Sequence, residues 1–135
     1  MIDIEAEIFD EVYRKLVEVY PDIFMSSSYV NAPAAFPAVS MIEQSNVPYS
    51  GSMTNSLTEN HATVMYEINI YSNLNQGRKK QAREIAAKVD EIMSGMGFVR
   101  GLFTPAPNYA DGTIFRILMR YTAVVGQDHT IYRKG

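Results

Sequence analysis

Residues 59–97 read ENHATVMYEINIYSNLNQGRKKQAREIAAKVDEIMSGMG, and this stretch decides the fold. Its first half alternates: Ala62, Val64, Tyr66, Ile68 and Ile70 fall between His61, Thr63, Met65, Glu67 and Asn69. That period of two is the signature of a strand with one buried face. In its second half, Ala82, Ile85, Ala86, Val89, Ile92, Met93 and Met96 recur at spacings of three and four, an apolar stripe along a helix. A sheet face and a helix stripe joined by a short turn cover each other, and the rest of the chain adds strands to that sheet or a second helix to its covered face.

Working outward, residues 3–20 form the first predicted helix, with Ile4, Ile8, Val12, Leu16 and Val19 as its stripe and Pro21 as its stop. Asp3, Glu5, Glu7, Asp10, Glu11 and Glu18 face only Arg14 and Lys15, which makes its outer face negative. Residues 22–37 read as a loop and 38–42 (AVSMI) as a strand. The polar run 44–60, QSNVPYSGSMTNSLTEN, reads as a long hairpin excursion, either contacting a partner or simply mobile. Gly95 and Gly97 close the second helix. A strand over 98–103, a turn over 105–112 (PAPNYADG) and a long strand over 113–125 follow. The tail, residues 127–135, has enough β character to add a final edge. The expected order is αββαββ, a single α+β domain over 1–135 with a mainly antiparallel sheet packed against two helices.

Composition narrows function mostly by exclusion. The chain has 135 residues, no cysteine, a net charge of −3 and a pI near 5.3. An acidic chain is a poor general nucleic-acid binder, because displacing counterions takes a surplus of Lys and Arg. Without cysteine there is no disulfide framework and no thiolate zinc site. The N-terminus carries no signal-peptide pattern, and no apolar run approaches the ~20 residues that span a bilayer, so a soluble protein made in the cytoplasm is expected.

Tests for chemistry point the same way. His61 and His129 are the only histidines and have no second ligand at metal-binding spacing, so no metal and no cofactor are expected. GMGFVRG at 95–101 lacks the third glycine of a dinucleotide fingerprint and follows a helix rather than opening one; its glycines suit a helix C-cap. No serine lies in a nucleophile elbow. Glu67, inside an apolar strand, is either a buried acid with a raised pKa or, as its setting favours, a partner for Arg116 or Arg120. No catalytic residue is assigned, and the chain is not expected to be an enzyme.

One charge pattern stands out. Arg78, Lys79, Lys80 and Arg83 crowd the first turns of the second helix, where the helix dipole disfavours cations by roughly a few tenths of a kcal/mol each. Beside the plain reading of a solvated turn, three partners suit them: an acidic surface on another copy, a different protein, or DNA phosphates.

An acidic first helix of the form IxxEIFDxVYxxL, a strand approached through FPAV, a polar excursion, the strand ATVMYEINIYSN, the basic-started helix GRKKQAREIAAKVDEIMSGMGF and a closing strand ending RYTAVV follow one another along nearly the whole chain. This pattern resembles the tail-terminator (tail-to-head joining, tail-completion, minor capsid) proteins of long-tailed bacteriophages and prophages. The resemblance implies a structural virion protein at the head–tail junction, made in the host bacterial cytoplasm. It implies a homohexameric ring that caps the major tail tube protein, ends tube polymerisation and presents a surface to the head-side connector. DNA would pass through such a ring without specific binding, with no membrane involved and no reaction performed. By position, it makes Tyr49, Met53, Asn55, Asn108 and Tyr109 candidate ring or tube contacts. Asp10, Glu11 and Glu18 against Arg78, Lys79, Lys80 and Arg83 become candidate contacts between subunits. A head-side stopper or neck protein, or a non-viral α+β oligomeric binding module, are the alternatives.

Overall fold

In the computed structural model, which describes residues 1–28, 33–49, 60–107 and 111–132, the central alternation becomes a strand and the central stripe a helix. In chain order the elements are α1 (Glu5–Val19), β1 (Phe24–Ser26), β2 (Ala38–Pro48), β3 (His61–Ser72), α2 (Arg78–Met96), β4 (Val99–Ala106), β5 (Phe115–Gly126) and β6 (Ile131–Tyr132). The chain is one α+β domain in which the described residues form two helices and a six-stranded sheet, ordered β1-β2-β3-β5-β4, with β6 pairing β5. Every pairing is antiparallel except that of β1 with β2.

One face of the sheet carries the core. Val39, Met41, Ala62, Val64, Tyr66, Ile68, Ile70, Ile117, Met119 and Tyr121 meet Ile8, Val12 and Leu16 of α1 and Ala82, Ile85, Ala86, Val89 and Met93 of α2. Burying each large aliphatic side chain here contributes about 1.5–3 kcal/mol. α2 packs on β3, β5 and β4, and α1 packs on α2. The first residues of α1 lie beside β2, where the Asn46 amide donates to the Ile2 carbonyl at 2.6 Å. The helices therefore divide the sheet, with the start of α1 toward the β2 side and α2 toward the β4 side. Among the described residues, no helix is long and apolar enough to cross a membrane.

The structure corrects the expected order αββαββ by two elements. β1 and β6 have three and two residues, too short for any periodicity to show. The strand expected over 38–42 runs on to Pro48, so the excursion expected over 44–60 begins only at Tyr49. A register shift between Glu43 and Ser45 breaks the alternation there, and the polar residues after it lie at the rim of the sheet. Pro105 and Ala106, expected in a turn, belong to β4, where an outer strand tolerates a residue without an N–H. Gly97 is the C-cap of α2 at φ 107°, as expected of a cap glycine, but Gly95 lies inside the helix.

The second face of the sheet is covered at one end only. Phe24, Phe36, Ala38, Tyr71 and Ile114 close over it, so Glu67, Asn69 and Tyr71 are buried although they point away from the helices, while Ser72 is buried on the helix side, where its hydroxyl donates to Gln81 of α2 at 2.6 Å. Glu67 is paired, as its setting favoured: Arg120 reaches its Oε1 at 3.3 Å, while Arg116 donates instead to Asn69 Oδ1 at 2.8 Å.

Candidate functional site

The chemistry-bearing residues sort to the two opposite edges of the sheet. At the β2 edge, Asp3, Glu5, Glu7 and Asp10 surround Phe9 and Ser27 in a shallow recess of about 370 Å³. Glu43, on the helix-facing side of β2, belongs to the same cluster. Partial burial raises its pKa, and the carboxylates of Glu5 and Asp3 raise it further, against hydrogen bonds from Asn46 and Tyr66. Its side chain sits among other acids with no cation among the described residues to balance it.

At the β4 edge the sign reverses. Arg83, Asp90, Arg100 and Phe103 line an open groove of about 700 Å³ between α2 and β4. Arg83 and Arg100 both lie against the Phe103 ring, at 5.3 and 5.9 Å from its centroid, distances at which the ring's quadrupole attracts a cation. Arg100 also pairs with Asp90 at 3.2 Å, and Asp90 accepts the buried Tyr121 hydroxyl at 2.8 Å. Above the groove, Arg78, Lys79 and Lys80 make no ion pair among the described residues. α2 begins at Gly77 without a side-chain cap and without an acid in its first turn, so nothing local offsets the dipole cost of these cations.

The two edges are in register. Glu43 pairs with Tyr66, Tyr66 with Tyr121, and Tyr121 with Arg100. One rung of the sheet thus begins in a carboxylate and ends in a guanidinium on the same face. Both outer strands are irregular at this level, with shifts between Glu43 and Ser45 and between Arg100 and Leu102.

The residues singled out from the sequence fall unequally on these edges. Arg83 lines the basic groove, Lys79 and Lys80 stand exposed beside it, and Asp10 lines the acidic recess. Glu11 and Glu18 are occupied inside α1. Arg14 reaches Glu11 at 2.8 Å and Glu18 at 3.5 Å, and Lys15 reaches Glu11 at 3.2 Å. The hydrogen bonds from Lys15 and Arg14 hold the Glu11 carboxyl below its ordinary pKa. Tyr49 is exposed, and its N–H donates to the His61 carbonyl at 2.8 Å where the hairpin opens. Met53, Asn55, Asn108 and Tyr109 lie outside the described residues. Glu43, Asp90, Arg100 and Phe103 went unrecognised in the sequence, because their meaning depends on strand register.

His61 packs edge-on against Tyr132, and His129 contacts Glu7. Among the described residues, no group of three or more His, Asp or Glu side chains is arranged to hold a metal ion. The chain matches no protein-family model and no curated protein.

Proposed function

We propose that this chain is a structural ring subunit that caps the tail tube of a long-tailed phage or prophage, ends its polymerisation and joins it to the head connector. The observation that carries this reading is the opposition of charge across one sheet. A subunit with an acidic recess at one edge and a basic groove at the other has the polarity of a head-to-tail contact, which closes into a ring when the rotation between neighbours closes. The sequence pattern of the tail-terminator proteins, running the length of the chain, supports the same reading. The tube protein and the head-side connector are the further partners, and DNA passes through the ring without being bound.

Electron microscopy of particles from a host in which this gene alone is deleted tests the proposal. Filled heads beside unattached tails of irregular, excessive length are expected. Unattached tails of normal length would move the protein to the head side of the joint, as a stopper. Normal infectious particles would overturn the structural role and leave a binding module in its place.

A further inference from the structure

The two charged edges are also the edges at which strands lack a second partner. β1 covers only residues 38–40 of β2, so among the described residues 42–48 pair on one side alone, with β3. Among the described residues, β4 pairs only with β5. Exposed valines mark both edges, Val47 at 56% and Val99 at 42%. Such unpaired rows of N–H and C=O groups are templates for another strand.

Resting on the ring reading, we propose that neighbouring copies join by strand addition, residues 99–102 of β4 pairing with residues 42–45 of the next copy's β2. Direction permits it. β2 and β3, β3 and β5, and β5 and β4 are each antiparallel, so β2 and β4 run oppositely, and a copy set alongside offers an antiparallel edge. Register favours it. Val99 is level with Ser45 through Thr122 and Met65, Arg100 with Glu43, and Leu102 with Ile42 through Arg120 and Glu67. A second copy placed without stagger brings its Glu43 beside Arg100, and the start of its α1, with Asp3 and Glu5, toward the groove that holds Arg83 and Phe103. The contact is short by design of both edges. Pro105 of β4 is level with Val39, the middle of the section that β1 already covers, so β4 offers no N–H where the neighbour's β2 has no room.

The chain contains no cysteine, so paired cysteines report the contact without background. Within one subunit, residues 45 and 99 are three strand spacings apart, about 14 Å, too far for a disulfide; directly opposed across an added strand they are within reach. Mild oxidation of the S45C/V99C double variant at high protein concentration should give a ladder of covalent multimers, while each single variant stays monomeric on a denaturing gel. Separately, E43R and R100E should each weaken self-association by about tenfold or more, and the two combined in one chain should restore it. Thermal denaturation of every variant identifies any that fails to fold. An oligomer by light scattering that gives no ladder overturns the strand contact and leaves the ring reading standing. A chain that stays monomeric and unlinked overturns the strand contact too, and the deletion phenotype then decides the ring reading by itself.

Discussion

Glu43 shows how one side chain can sit badly in a lone subunit. Its folded pKa lies above its ordinary value because burial and the Glu5 and Asp3 carboxylates oppose its charge. A raised carboxyl favours the fold when protonated: that contribution is fully present below the ordinary value and is lost as pH rises through the raised one. At dilutions where the subunit is alone, E43Q should therefore match the parent at low pH and melt higher than it at neutral pH, as thermal denaturation across a pH series would record. Glu67 is the opposite case, a buried acid with its cation in place. R120A should destabilise the fold by about 1–3 kcal/mol in chemical denaturation, since it removes the guanidinium that pairs with an acid whose side chain is 9% exposed and leaves it the Asn69 amide. E67Q in the same background should recover most of that loss. The sequence anticipated that Glu67 is paired and narrowed its partner to two arginines, but it favoured an open sheet face around it, whereas the residue is buried. Which arginine depended on register, and register is invisible in a strand read alone.

The elements were legible where they were long. The α2 stripe and the alternations of β3 and β5 emerged because each contributes several buried positions on one face, while β1 and β6 bury too little to leave a pattern. Composition misled at the ends of strands. Gln44, Ser45 and Pro105 look like loop residues, and they lie in outer strands where polar side chains and a missing N–H are tolerated. The two glycines near the end of α2 looked alike and are not. Gly97 holds φ 107°, which a side chain resists, whereas Gly95 has helical surroundings with open space at its Cβ position. G97A should cost about 1 kcal/mol or more, and G95A should gain about 0.5–1 kcal/mol through the more restricted unfolded chain. Urea denaturation of the two single variants separates them by sign.

For the molecule as a whole, the net charge of −3 hides a separation of charge that the fold creates. Half of the candidate interface was readable as sequence, because the acids of α1 and the bases of α2 each cluster locally. Their placement on opposite edges was not, since it follows from strand order. If attraction between these edges drives assembly, raising salt from about 0.05 M to 0.5 M should weaken self-association several-fold, as the Debye length contracts to a few ångströms. Replacing Arg78, Lys79 and Lys80 together with glutamine should remove much of that dependence, measured by sedimentation at each salt concentration.

That β4 is held in the sheet, among the described residues, by β5 alone also bears on synthesis at the ribosome. α1, β2, β3 and the helix α1 packs on, α2, are all complete by Met96, but β4 has no described strand to pair with until β5 has emerged. On the proposed strand contact, a nascent chain would display one half of it before the other, and a chain cut short before residue 115 would lack the second half. Such a fragment would have no β4 edge to offer a neighbour, and β3 and β5, separated by residues 73–114, pair only after that whole stretch has been made, a non-local contact of the kind that slows folding. With copies joined by that proposed contact, the order of strands would act as a proofreading device, in which only a finished subunit extends an assembly at both ends.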